Sequence, residues 1–306
     1  MHGRLGQRCT NRYKADSCDV NRLTTFNPLH LTQCFESRNL TLQPPKSAQI
    51  RAERVSLAPK IVTPGTVRAD KHLAANVHYL LREVSFEVFR GDRIALVGAS
   101  GAGKTSLLRL LNRLSEPTDG VIYLEQRALH EIPAVQLRQQ VVLVLQESKL
   151  LGMTVQQALA YPLTLRQLEK QTIQERIQKW RDRLHMPADW LHRTELQLSV
   201  GQRQLVAIAR ALVTEPKVLL LDEPTASLDL GRGDWLLNVL SELAQVHGMT
   251  VIMANHQLEL AEQWCDRVLH LEQGVLQQDV AAQQMNWQAL KQTLVAAEAQ
   301  QLEEWD

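Results

Sequence analysis

The sequence predicts an α/β fold: a mostly parallel sheet, preceded by a β-rich N-terminal subdomain and interrupted by an inserted α-helical subdomain. Three observations lead there. Short β-branched or leucine-rich runs at 93–97, 140–145, 218–221 and 250–254 alternate with helical patterns, the signature of a sheet covered on both faces. Two stretches of strand character, 50–57 and 81–89, come before the first of these runs, separated by a loop with Pro59, Pro64 and Gly65. Strand signals then cease between Gln146 and Leu198, where Ile173, Ile177, Trp180 and Leu184 fall on one helical face.

The elements follow in order. Residues 1–49 lack sustained periodicity and carry seven basic against three acidic side chains, so they read as a disordered extension, with no apolar h-region of the secretory type. The folded domain is expected over 50–280, with its helical subdomain at about 147–198. A periodic stretch at 106–114 follows a glycine-rich turn and predicts a helix there. Residues 267–271 and 275–277, joined through Glu272-Gln273-Gly274, make a hairpin. From 281 to 306 a terminal helix is expected, its stripe formed by Trp287, Leu290 and Leu294.

Composition removes several function classes. With 306 residues, 44% hydrophobic and 22% charged, the chain can bury a large core, which excludes disorder throughout. Its apolar runs, 141–145 and 218–221, fall far short of the roughly 20 residues a membrane-crossing helix needs. A net charge of +1 supplies no field drawing the chain onto nucleic acid. Cys9, Cys18, Cys34 and Cys265 match neither a disulfide framework nor a metal-ligand spacing, as suits a reducing cytoplasm.

Chemistry concentrates in one loop. Gly98, Ala99, Ser100, Gly101, Ala102, Gly103, Lys104 and Thr105 fit G-x-x-x-x-G-K-[ST], directly after a buried strand and before a helix that continues through Ser106. Glycines let the backbone curl so that successive N–H groups point inward, and the helix adds its positive N-terminal end, so the pattern calls for a polyphosphate. Lys104 then reaches the β- and γ-phosphates and Thr105 offers a hydroxyl to Mg²⁺. The run 218–221 ends in Asp222-Glu223, where one carboxylate can hold Mg²⁺ and the next can face an attacking water. A nucleotide polyphosphate and Mg²⁺ are therefore the expected ligands, and ATP is the nucleotide that the resemblance below implies.

Leu198-Ser-Val-Gly-Gln-Arg-Gln204 resembles the signature of ATP-binding cassette ATPases, with Val200 where glycine is usual. In the same order Gln146 looks like the family's Q-loop glutamine, Ser227-Leu228-Asp229 its D-loop and His256 its switch histidine. The resemblance implies a RecA-like P-loop NTPase core and two cassettes, expected to be copies of this chain, sandwiching two ATP molecules head to tail. It assigns Glu223, His256 and Lys104 to catalysis, and Thr105, Gln146 and Asp222 to Mg²⁺. Ser199, Gly201 and Gln202 would act on the opposite protomer's nucleotide, and Asp229 would lie at the dimer interface. Tyr79 is the nearest aromatic for stacking adenine.

The segment from Gln146 through Tyr161-Pro162-Leu163 is similar to the part of transporter cassettes that receives a membrane subunit, with Leu150, Leu151, Met153 and Val155 expected in the groove. The implied function is therefore an ATP-hydrolysing subunit peripheral to the cytoplasmic face of the cell membrane, serving a separate transmembrane permease. Leu111-Asn-Arg-Leu-Ser-Glu-Pro-Thr118, Arg138-Gln-Gln140 and Tyr161-Pro-Leu163 look more narrowly like bacterial iron-efflux ATP-binding subunits, and phosphate- or amino-acid-import ATPases stay open beside them. The alternative is a soluble cassette ATPase of DNA repair or translation, to which the short helical insertion and single cassette are less suited.

Overall fold

The computed structural model describes residues 47–59 and 79–303, side chains at 298 and 300–303 excepted. Of the expected extension, 1–49, residues 1–46 lie outside these residues, as does the loop with Pro64 and Gly65, whereas Gln49 is buried and its N–H donates to the Val88 carbonyl at 2.7 Å.

Two sheets share the chain. β1 (Ile50–Leu57) pairs antiparallel with β2 (Leu81–Val88) on one side and with β4 (Asp119–Leu124) on the other, and β4 carries the two-residue β5 (Arg127–Ala128). The second sheet has the order β10-β9-β3-β8-β7-β6. It comprises β3 (Arg93–Val97), β6 (Val141–Val144), β7 (Val218–Asp222), β8 (Thr250–Ala254), β9 (Arg267–Glu272) and β10 (Val275–Ala281). Its pairings are parallel except for the β9–β10 hairpin.

Side-chain alternation along those strands divides the interior into two cores. Leu219, Leu221, Val251, Met253 and Val97 face one core, while Val218, Leu220, Ile252, Ala254 and Leu96 face the other. The first core is covered by α5 (Val200–Leu212), α6 (Leu230–His247), α7 (Leu258–Trp264) and α8 (Trp287–Glu303), and it continues into α3 (Val155–Leu165) and α4 (Lys170–Arg183). The second joins the parallel sheet to α1 (Lys104–Leu111), to Leu137 of α2 (Ala134–Gln140) and to the inner face of the antiparallel sheet. Each fully buried Leu or Ile contributes about 1.5–3 kcal/mol relative to exposure, which is why the strand runs must be apolar on both faces.

Several element boundaries differ from the sequence reading. α1 starts at Lys104, inside the glycine loop, because Gly103 takes the N-cap position. Gln140 closes α2 and β6 starts only at Val141. β10 runs on to Ala281, followed by a short 3₁₀ turn at Ala282–Gln284, so the terminal helix starts at Trp287. Leu150 and Val155 are fully buried and Met153 packs against the core, so of the four apolar residues expected in a groove only Leu151 is exposed.

Candidate nucleotide site

β3 delivers the glycine loop to the carboxyl end of the parallel sheet, where β7 and β8 also end. The loop passes so close to its neighbours that side chains are excluded at two turns. A Cβ on Gly98 would stand 2.2 Å from the Leu271 carbonyl oxygen, and one on Gly103, at φ +102°, would stand 2.7 Å from that of Leu80. α1 therefore begins without a side-chain cap. Lys104 is buried, and its Nζ donates to the carbonyls of Gly98 (2.7 Å) and Ala99 (2.9 Å), spanning the loop it belongs to.

The carboxylates stand opposite. Thr105 Oγ1 donates to Asp222 Oδ2 at 2.9 Å, which joins the first turn of α1 to the end of β7. Burial pushes the Asp222 carboxyl above the usual carboxylate range, and the Thr105 hydrogen bond pulls it partly back. Glu223 follows at φ +50°, its N–H donating to the Ala254 carbonyl at the end of β8. That conformation is uncommon for a residue with a side chain, and it aims the carboxylate at two partners. His256 Nε2 meets Oε1, and Gln146 Nε2 donates to Oε2 at 2.8 Å. Gln146, Glu223 and His256, widely separated in sequence, thus meet beside the Thr105–Asp222 pair.

A family model described as "ABC transporter" matches residues 81–226, which take in this loop and both carboxylates. A lipoprotein-releasing system ATP-binding protein of Koribacter versatilis is 37% identical over 202 residues, 64% of this chain and 90% of that protein. The chain belongs to the ABC transporter family. A methionine import ATP-binding protein of Pseudomonas fluorescens is 38% identical, and the chain spans about 60% of the length of this relative. Among solved structures, a bacterial ABC transporter cassette in dimeric form shares the fold with a TM-score of 0.67 at 23% identity, covering 76% of this chain and 98% of its own. A bacterial Atm1-family ABC exporter with ATP bound gives 0.64 at 26% identity, over 83% of this chain and 42% of the exporter.

In this ABC cassette the signature motif forms the start of α5. Ser199 is the N-cap: its Oγ accepts from the Gln202 N–H at 3.2 Å, while Gln202 Oε1 accepts from the Ser199 N–H at 3.0 Å. This reciprocal capping box satisfies two of the donors that a helix start leaves open. Gly201 lies against the D-loop, where a Cβ would come within 2.4 Å of the Ser227 carbonyl oxygen. Val200 instead points outward and is 61% exposed. The steric demand for glycine thus falls on position 201, and 200 tolerates a side chain. Asp229 caps α6 by accepting from the Arg232 N–H at 2.9 Å.

Among the described residues no helix is long and apolar enough to cross a membrane. An open groove of about 870 Å³ runs between α2–β6 and α3, with Val135, Val142, Leu151, Tyr161, Pro162 and Leu165 on its walls. Nothing in the sequence pattern singled out Val135, Val142 or Leu165 as groove residues: Val142 lies in the apolar run 141–145, which reads as a buried strand, and Val135 and Leu165 lie on short helices.

Proposed function

We propose that this chain is the ATP-hydrolysing, nucleotide-binding subunit of a transporter, driving a separate membrane protein through ATP-dependent association of two cassettes, here two copies of this chain. The observation that carries the reading is the meeting of Gln146 and His256 on the two oxygens of Glu223, beside the bonded Thr105 and Asp222.

Residues 98–106 would cradle the phosphates with their backbone N–H groups, the uncapped start of α1 adding its dipole. Lys104 would exchange two neutral carbonyl partners for charge-assisted bonds to the β- and γ-phosphates. Thr105 Oγ1 and Asp222 Oδ2 are hard oxygen donors side by side, fitting Mg²⁺, which is usually held by one or two carboxylates with phosphates and water. When bound, the metal neutralises charge on the phosphate oxygens. Glu223 would orient the attacking water and accept its proton, with His256 and Gln146 steering the carboxylate.

Ser199, Gly201 and Gln202 would face the nucleotide of the opposite cassette, near Asp229. Tyr79, exposed and next in the chain to Leu80, whose carbonyl oxygen lies against Gly103, would be the adenine platform. The apolar groove beside Leu151 would seat a helix of the membrane subunit, holding the chain at the membrane's cytoplasmic face.

The test is Mg²⁺-dependent ATP turnover by the purified chain, alone and with whatever membrane protein copurifies. Hydrolysis lost in Lys104→Ala, with Leu151→Glu releasing the chain from membranes yet retaining basal turnover, is the expected result. No turnover under either condition overturns the reading.

A further inference from the structure

Three consecutive residues after the Q-loop glutamine are tied to one structural unit. Ser148 Oγ donates to Gln204 Oε1 at 2.6 Å, the Lys149 carbonyl accepts from Arg210 Nη1 at 3.1 Å, and the Leu150 N–H donates to Glu195 Oε2 at 2.9 Å. Gln204 and Arg210 lie on α5, and Glu195 opens the 3₁₀ turn that runs into Ser199. Gln204 is the informative member. It is 2% exposed, and its Nε2 has no hydrogen-bond partner. Burying an amide with its donor side unmet is costly, and an apolar residue would fill the space more cheaply. Packing alone therefore does not account for this residue; the bond to Ser148 does.

The pinned stretch has two working ends. Gln146 at one end holds Glu223, and Leu151 at the other stands in the apolar groove. We propose that Gln204 and Glu195 are positioning residues that fasten residues 148–150 to the signature helix, so that the groove, the Glu223 carboxylate and the Ser199 cap shift as one body. Pressure on the groove would then reach both halves of the ATP site without any change within α5, as rigid-body transmission through packed and bonded elements requires. The inference rests on the ATPase reading above and adds the residues that link its parts.

The experiment uses the full chain with Ser148→Ala, Ser148→Thr and Gln204→Leu. Ser148→Ala and Gln204→Leu are expected to lower kcat three- to tenfold while KM for ATP stays within about twofold, since misplacement rather than lost binding is the defect. Ser148→Thr, which keeps the hydroxyl, is expected to restore kcat. Gln204→Leu removes the unmet amide and so is expected to leave Tm unchanged or higher, whereas a merely structural glutamine would lose Tm and kcat together. Hydrogen exchange in Gln204→Leu is expected to rise together at 148–150 and 199–204. Parental kcat in Ser148→Ala, or faster exchange at 148–150 alone, overturns the proposal. If the parent shows no ATP turnover, the functional reading fails, and the exchange result still decides whether the clamp exists.

Discussion

Two helix starts in this molecule solve the same problem in opposite ways. Every α-helix begins with N–H groups that its own turns do not use. α5 closes them with side chains, Ser199 and Gln202 capping each other, whereas α1 begins at a left-handed glycine and has no side-chain cap. Under the proposed function the difference would separate two kinds of anion site. At α1 no side chain takes up the first turn, and under the proposed function its N–H groups would face phosphate. At α5 the capping box already satisfies two of them, so Ser199 would engage a second nucleotide only by trading one bond for another. The first would bind within one chain; the second would suit an interface formed late.

The largest expected effect lies where both sites would act on one phosphate. Glu223→Gln is expected to keep ATP binding while turnover falls by about 10²- to 10⁴-fold, and the variant should collect as an ATP-bound dimer in size-exclusion chromatography with Mg-ATP. Gly103→Ser gives α1 the side-chain cap that α5 has, but the new Cβ meets the Leu80 carbonyl at 2.7 Å. Equilibrium binding of a fluorescent ATP analogue should weaken by about a hundredfold, more than 2 kcal/mol; binding like the parent's would break the contrast. Ser199→Ala opens α5 instead. It should cost about 1 kcal/mol of stability from the lost cap and about tenfold in turnover, with nucleotide affinity of the single chain unchanged.

Smaller effects sharpen the same comparison. Because burial holds the Asp222 carboxyl above its ordinary range, the native chain binds that proton more tightly than the unfolded chain. The contribution of this group to nucleotide-free stability therefore falls as pH rises through the carboxylate range. Asp222→Asn should raise Tm at neutral pH and flatten its pH dependence; a lower Tm would mean that the charge is already compensated. Val200→Gly should change turnover by less than about twofold, since the Val200 side chain is mostly exposed and the tight contact is at Gly201.

How much of this was legible in the sequence follows from how local each feature is. The glycine loop and the strands β3, β7 and β8 are contiguous runs whose spacing alone carries their meaning, and the parallel sheet lies where those runs put it. β4 was missed. Its Asp119-Gly120 start reads as the end of a turn, and only Ile122 and Leu124 are buried, since the strand belongs to the antiparallel sheet with one face on the core. The groove residues were misassigned because Leu150 and Leu151 are neighbours in sequence and opposites in space. Leu151 takes φ +56° before Gly152, which turns it outward while Leu150 stays buried. The clamp between 148–150 and α5 joins residues far apart in the chain and leaves no periodic trace. The capping box, by contrast, is a three-residue spacing visible in Ser199 and Gln202, and its meaning as a cap was overshadowed by the motif it sits in.

The strand order also sets a timetable for synthesis. β1, β2, β4 and β5 are all complete by residue 128 and can pair with one another as soon as they leave the ribosome. β3, although made between β2 and β4, has as its two neighbours β8 and β9, with Arg93 paired to Val251 and Ile94 to Arg267. The strand that carries the phosphate loop must therefore wait, unpaired on both edges, while some 150 residues are translated, about 8–30 s at 5–20 residues per second. Its buried, apolar character makes that interval the time of greatest exposure to aggregation. A nascent chain stopped short of β8 thus contains the whole glycine motif and yet lacks the sheet that would shape it, so the candidate nucleotide site takes shape only once β8 and β9 have been made.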